Sequence, residues 1–445
     1  MSILADFAGQ PPLVVIQQVV NRLNETAPGD LPFNRYKNQS RVLSQLRKLK
    51  QLTNDMIGGI SEFLRSAMLV EQIADIAGVS VEYVTNLKNE PTPNPQSLSN
   101  FMQAILVAET HQPVTLTEFP TPTPGPGQAV VKLRAAALNH RDVFVQQGLY
   151  PGMKLPVIPG ADGAGVVYDI GEGVDSELSG REVIINCSLD WGGNPNFYGP
   201  NFRILGMPDN GTFAEYVLVG ADTVHTKPDH LSFEEAAALP LAGLTAWRAL
   251  MSRAKLSQMP LAQERPERVL ITGIGGGVAL FALQFAVAAG AEVWVTSGSE
   301  EKIERAKALG ATGGINYKDK DWHKTLMTQT GGGRTGHFDI IIDSAGGPGF
   351  ALLTDVAAPG GRIVLFGGTV GKIDGLIPPK IFFKHLNIMG STMGTPAEFA
   401  DMVAFVEKHQ IRPVIDTVMP LAEAEAALRR MDAGQQFGKI VLVIS

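Results

Sequence analysis

Gly273, Gly276 and Ala279 recur at intervals of three directly after the short apolar run "RVLIT", and the helix-like stretch "ALFALQFAVAAG" follows them. Small residues at this spacing serve three purposes. The first permits a tight turn, the second lets backbone approach a pyrophosphate, and the third lets the helix pack closely on its sheet. Gly277 and Val278 open the helix, where free N–H groups and the positive end of the helix dipole can meet phosphate oxygens. Ala279 departs from a strict third glycine by one methyl group. The strand-turn-helix context turns a weak glycine signal into the expectation of a dinucleotide site.

The next strand, "AEVWVTS", discriminates between nicotinamide cofactors. An NAD site ends this strand with Asp or Glu, which bonds the ribose hydroxyls and repels a 2′-phosphate. Here it ends in Thr296, Ser297, Gly298 and Ser299, with Lys302 one turn into the following helix. Tyr317 ends the third strand and can lend a hydroxyl. The missing acid makes NADPH the expected cofactor and NADH the lesser one. Plainer readings make Lys302 a solvated helix lysine and Tyr317 a packed strand residue.

The elements that position these residues alternate. "RVLITG", "AEVWVTS", "GGINY", "FDIIIDSA" and "GRIVLFG" are short apolar strands separated by helical stretches such as "SEEKIERAKALG". Buried strands alternating with helices imply a doubly wound parallel sheet, with ligands beyond the carboxyl ends of its strands. Gly346 in "DSAGG" and Gly367 and Gly368 in "LFGG" are therefore cofactor candidates, although helix-capping turns use the same residues. "STMGT", Ser391 to Thr395, is a candidate to close the nicotinamide end.

Upstream, "MQAILVAETHQPVTLTEFPTPTPGPGQAVVKLRAAAL" alternates residues between turn signals and reads as strands and hairpins. The tail "FGKIVLVIS" is a strand again, expected to return to this β-rich part. The organisation read from the chain is a helical extension over 1–88, a Pro- and Asn-rich linker over 89–101, a β domain over 102–235, a dinucleotide-binding domain over 236–385, and a return to the β domain over 386–445.

The region from Met102 to Ser445 resembles the medium-chain dehydrogenase/reductase superfamily, and most of all its zinc-free, quinone-oxidoreductase-like members. "AAALNHRDVFVQQGLYPG", "PVIPGADGAGVV", "GTFAEYV", "LPLAGLTAWRAL", "AKALGA" and "QFGKIVLVI" fall in the family's order. The resemblance implies an α/β fold class, with a GroES-like β domain, a Rossmann domain and a nicotinamide cleft between them. It also implies a homodimer, formed through the edge of the Rossmann sheet. Zinc-dependent members carry a cysteine where Asn139 stands and a histidine-glutamate pair where Ala161 and Asp162 stand. Zinc wants thiolate, imidazole or carboxylate ligands, so no catalytic metal is expected. The lobe "CSLDWGGNPNFYGPNFRILG" holds one cysteine, Cys187, where zinc-bearing relatives have four.

Asn139, Asp142 and Tyr150 match polar positions that zinc-free relatives keep beside the nicotinamide. Asn139 is expected to donate to substrate or cofactor, Tyr150 to donate to the reduced oxygen or line the pocket, and Asp142 to orient its neighbours. Asn139 and Asp142 also suit a plain turn-fixing role. Thr245 in "AGLTAW" matches a contact near the nicotinamide, with core packing as its alternative. Trp191, Phe197, Tyr198 and Phe202 lie on a long loop, either as walls of a substrate channel or as packing in place of the lost zinc.

Composition narrows the classes. The 445 residues are 44% hydrophobic and 18% charged, with a formal net charge of -7 and a single cysteine. That excludes an internal disulfide and gives no global pull toward nucleic acid or anionic lipid. No apolar run reaches membrane-spanning length and no secretory leader opens the chain, so a cytoplasmic location is expected.

The stretch "VEQIADIAGVSVEYVTNLKNE" has helix-turn-helix spacing that would put Ser80, Tyr83 and Asn86 toward a DNA groove. The segment is nearly neutral, so a packing bundle is the preferred reading and nucleic acid is not an expected partner. "NRYKNQSRVLSQLRKLKQLTNDMIGGISEFL" faintly resembles the C-terminal part of PD-(D/E)XK transposase-like proteins, without that group's nuclease core. The expected activity is zinc-independent, NADPH-dependent reduction of a quinone or other α,β-unsaturated carbonyl. The alternatives are an NAD(P)-dependent alcohol or aldehyde dehydrogenase, or an NADPH-binding redox sensor coupled to the N-terminal helices.

Overall fold

Strand β3 (Gln128–Ala137) is the spine of an antiparallel sheet, and the computed structural model describes residues 101–256 and 265–445. The helix-turn-helix-like and transposase-like stretches, with residues 89–100 of the expected linker, lie outside the described residues. Ahead of β3 runs a hairpin of β1 (Phe101–Leu106) and β2 (Thr115–Pro120), so the first strand opens one residue inside the expected linker. After β3 come α1 (His140–Gln146), β4 (Asp162–Ile170) and β5 (Glu182–Ile185). Gly165 is required where β3 and β4 meet, because a Cβ there would lie 2.1 Å from the Lys132 carbonyl oxygen. A two-residue ladder of β6 (Ser188–Leu189) and β7 (Arg203–Ile204) closes the long aromatic loop. β8 (Tyr216–Gly220) and β9 (Val224–Thr226) complete the forward part of the sheet.

Two helices, α2 (Phe233–Ala237) and α3 (Pro240–Trp247), lead through a π-helical turn (Arg248–Arg253) to the alternating region. There β10 (Arg268–Ile271), β11 (Glu292–Ser297), β12 (Gly313–Asn316), β13 (Phe338–Asp343), β14 (Ala357–Leu365) and β15 (Asn387–Gly390) form one parallel sheet, ordered β12-β11-β10-β13-β14-β15. Between these strands run α4 (Gly277–Ala288), α5 (Glu300–Ala308), α6 (Trp322–Thr330), α7 (Phe350–Val356) and α8 (Pro378–Phe382). Successive strand residues enter opposite layers. Val269, Ile271, Ile340 and Ile342 join the larger core, while Leu270, Ile341 and Ile363 join a second core on the other face. That is why these strands read as unbroken apolar runs. The order reverses between β10 and β13, and such a switch point is where open α/β sheets take their ligands.

The return to the first sheet comes later than the boundary expected at 386. β15 still pairs in parallel with β14 from Asn387 to Gly390. Only after α9 (Pro396–Lys408) does β16 (Ile415–Pro420) join β17 (Lys439–Val443), with α10 (Ala424–Asp432) between them. β17 then pairs antiparallel with β3. Two layers thus result, a GroES-like antiparallel β domain and a Rossmann sheet. No helix among the described residues is long and apolar enough to cross a membrane.

Candidate active site

The glycine turn sits at the switch point. Gly273 has φ +65° and Gly275 φ +122°, conformations that side chains rarely adopt. Gly276 is the N-cap of α4 with ordinary extended dihedrals (φ -74°, ψ 152°) and supplies no side chain to its free N–H groups. A Cβ at Gly276 would meet nothing nearer than 4.0 Å, and one at Gly368 nothing at all. This open, uncapped, donor-rich helix end fits the pyrophosphate of a nicotinamide dinucleotide. Ala279 is buried in the core, where the third small residue lets α4 approach the sheet. Gly277 and Val278 form its first turn.

Neighbouring strand ends brace the turn. Thr272 Oγ1 donates to Asp343 Oδ1 at 2.6 Å, and Asp343 Oδ2 accepts from the N–H of Gly346 at 2.8 Å. Burial pushes the Asp343 carboxyl up. This aspartate, passed over in the sequence reading, ties the glycine turn to the β13 loop. Gly346 has φ +62°. A Cβ at Gly367 would lie 2.7 Å from the Ser344 carbonyl oxygen, so that glycine is needed for close approach.

At the end of β11 no acid is present. Ser297 Oγ accepts from the N–H of Ser299 at 3.2 Å, and the Ser299 hydroxyl in turn caps α5. A Cβ at Gly298 would lie 2.7 Å from Lys318 Cε and 2.8 Å from the Tyr317 hydroxyl, so these two side chains flank the strand end. Lys318, adjacent to Tyr317 in the chain, was legible and missed. Lys302 is placed differently from either sequence reading: its Nζ donates to the carbonyls of Gln436 at 3.0 Å and Gly434 at 3.4 Å, and its stem packs on Gly275. Burial lowers its pKa.

Asn139 is the N-cap of α1, and its backbone N–H donates to Asp142 Oδ2 at 2.8 Å. Asp142 is 1% exposed, and its Oδ1 has no hydrogen-bond partner. Burial raises its pKa to about 6, against the opposing pull of Arg141. Arg141 joins Tyr150 to the same helix, its guanidinium lying 4.7 Å over the Tyr150 ring while its Nη1 holds the Leu205 carbonyl at 2.6 Å. Thr245 is buried and back-bonds to the Leu241 carbonyl at 2.8 Å, so its hydroxyl is engaged within its own helix.

Two further residues complete the cluster. Lys439 Nζ donates to Leu138 O at 2.7 Å, to Asn139 Oδ1 at 2.7 Å and to Asp162 Oδ2 at 2.9 Å. Asn139 Nδ2 donates to the same Asp162 Oδ2 at 2.9 Å, and the N–H of Leu241 to Asp162 Oδ1 at 2.8 Å. The Cys187 sulfur lies 3.9 Å from Asp162 Oδ1, and burial holds its thiol protonated, well above the usual range. These residues do not suit zinc. The Asp162 carboxylate is already paired with an ammonium, and Asn139 and Ala161 supply no anionic or imidazole ligand.

The aromatic loop is packed on itself. Trp191 meets Phe202 edge-on at 5.4 Å, and Tyr198 stacks on Phe202 at 4.4 Å. Phe197 is 63% exposed. Three of the four rings, Trp191, Tyr198 and Phe202, contact one another.

Comparison with known proteins agrees with this architecture. A profile described as "Alcohol dehydrogenase GroES-like domain" matches residues 125–229, and one described as "Zinc-binding dehydrogenase" matches 277–408. A zinc-type alcohol dehydrogenase-like protein, YogA, from Leptosphaeria maculans is 39% identical over 76% of this chain and 96% of its own length. The chain belongs to the medium-chain dehydrogenase/reductase family. A crotonyl-CoA reductase of Streptomyces avermitilis is 30% identical over 74% of this chain and 81% of its own. A solved NAD-dependent alcohol dehydrogenase superposes with a TM-score of 0.71 at 38% identity, covering 77% of this chain and all of that one. The chain is accordingly an NAD(P)H-dependent oxidoreductase of this family.

Proposed function

We propose that this oxidoreductase works without zinc, takes NADPH, and reduces a quinone or other α,β-unsaturated carbonyl by hydride transfer. The observation that carries the reading is the ammonium of Lys439 bonded to Asp162 and Asn139, where zinc-dependent relatives would need metal ligands. When bound, the nicotinamide supplies the hydride. Hydride arriving at a β-carbon sends negative charge to a carbonyl oxygen, which hydrogen-bond donors can stabilise without a Lewis acid. Asn139 Nδ2 and the Tyr150 hydroxyl are the donors in this reading, with the proton coming from solvent. Enoyl thioesters belong to the same substrate class, which agrees with the crotonyl-CoA reductase relative.

The preference for NADPH rests on the missing acid after β11 and on Tyr317 and Lys318 beside Gly298. A homodimer through β15 also belongs to the reading. That strand is a sheet edge, and Ile377, Phe382 and Phe383, which precede it in the chain, are exposed. A cytoplasmic location remains part of the proposal.

The names of the relatives favour a second reading over the first, an NAD(P)-dependent alcohol or aldehyde dehydrogenase. One panel separates the two: NADPH oxidation with quinones, enones, enoyl thioesters and simple aldehydes, NADH alongside, and NADP+ reduction with alcohols. Turnover of the conjugated substrates with NADPH preferred is expected. Turnover confined to alcohols and aldehydes would establish the second reading.

A further inference from the structure

We infer that Lys439 and Asp162 are positioning residues that lock the side-chain amide of Asn139 in one orientation, with an N–H free for the reacting carbonyl or the cofactor. The inference rests on the reading that Asn139 faces the nicotinamide end of the site.

The chemistry of the partners fixes the lock. An amide can ordinarily flip by half a turn with little penalty, exchanging donor and acceptor. Here its oxygen faces Lys439 Nζ at 2.7 Å, and an ammonium only donates. Its nitrogen faces Asp162 Oδ2 at 2.9 Å, and a carboxylate only accepts. Lys439 and Asp162 close the ring by pairing with each other at 2.9 Å. A flip would set like groups against like at both ends, inside a cluster where all three residues are less than 9% exposed. One Nδ2 hydrogen goes to Asp162, and the other has no protein acceptor among the described residues.

The same lysine touches the cofactor turn. A Cβ at Gly277 would lie 2.8 Å from Lys439 Cδ, and the N–H of Gly438 donates to the Gly275 carbonyl at 2.9 Å. Leu241, on α3, holds the other Asp162 oxygen. The amide is thus referenced to the glycine turn, β4, β17 and α3 together. Two charged side chains set a neutral donor in place, work that second-layer groups perform for ligands at metal centres.

The test is the double variant Lys439→Met/Asp162→Asn, which removes both charges together, keeps the lysine stem against Gly277 and leaves no unpaired buried ion. The expected result is a kcat reduced 10-fold or more, with the NADPH Kd within about 3-fold of wild type and an unchanged circular dichroism spectrum. Lys439→Ala should regain kcat with ethylammonium, which a merely structural role would not produce. A folded double variant with unchanged kcat overturns the inference, as does equal loss of kcat and NADPH affinity without amine rescue. Failure of the functional reading looks different: wild-type protein would then leave quinones and enones unreduced. The amide can still be followed by NMR of asparagine-labelled protein with NADPH bound. One Asn139 side-chain hydrogen should exchange slowly in wild type and fast in the double variant. Fast exchange in both would overturn the lock whatever the substrate.

Discussion

Arg248 Nη1 donates to both carboxylate oxygens of Glu398, at 2.9 and 2.8 Å. Its Nη2 holds the carbonyls of Pro195 and Asn196 at 3.0 and 2.9 Å, and the guanidinium lies 4.7 Å over Trp191. Glu398 is also the capping-box residue of α9, accepting from the N–H of Thr395 at 2.7 Å. One buried cation therefore fastens the aromatic loop to the helices beside the parallel sheet. Removing it leaves a carboxylate and two carbonyls without their partner. Arg248→Met is expected to destabilise the fold by about 3 kcal/mol and to expose the 191–203 loop to protease. Urea denaturation and limited proteolysis measure both, and a resistant loop with an unchanged midpoint would contradict the account.

Asp142 gives a pH prediction. Its folded pKa is raised from 3.8 to about 6 by burial, so the folded protein holds this proton more tightly than the unfolded chain. The associated stability is in place below about 3.8 and is lost as the pH climbs through about 6. Ionising the group in the fold costs on the order of 3 kcal/mol. Asp142→Asn removes that cost and keeps an acceptor for the Asn139 N–H. The variant should therefore gain stability over wild type between pH 4.5 and 7.5, read from urea midpoints. A constant difference across that range would show that Asp142 does not titrate as its surroundings dictate.

Gly276 separates the needs of the fold from those of a ligand. Its dihedrals suit any residue, and the space beyond it is open. Gly276→Val should melt within a few degrees of wild type yet bind NADPH at least 10-fold more weakly. Tight binding by the folded variant would move the pyrophosphate away from this turn.

Cofactor preference should lie with Tyr317 and Lys318. Lys318→Ala is expected to raise the NADPH KM about 10-fold, as loss of a charge-assisted hydrogen bond does, while leaving NADH unaffected. Lys302→Ala should discriminate less between the two cofactors, because its ammonium is engaged by Gln436 and Gly434. Equal effects on NADPH and NADH in Lys318→Ala would remove the 2′-phosphate from that corner.

The parallel sheet and glycine turn were legible because their signals are local: apolar strands of a few residues, and glycines three apart. Strand β15, "NIMG", was not, since it is short and largely exposed at a sheet edge. Lys439 reads as one residue of a closing strand, and its ion pair with Asp162 spans 277 residues. Arg248 reads as part of a helix, with Glu398 lying 150 residues away. Periodicity carries no information about such pairings, which exist only once β17 lies beside β3 and α9 lies near α3. Asn139 was found through the resemblance, whereas the charges that hold it were visible only in the fold.

The most direct test of the central claim is the steady-state rate of NADPH-linked quinone or enone reduction before and after dialysis against a strong zinc chelator, with metal content measured alongside. An unchanged kcat is expected in protein holding less than one-tenth equivalent of zinc, with no gain when zinc is added. Activity lost on stripping and restored by zinc would overturn zinc-free catalysis, and would place a metal where the Lys439 ammonium now bonds Asn139 and Asp162.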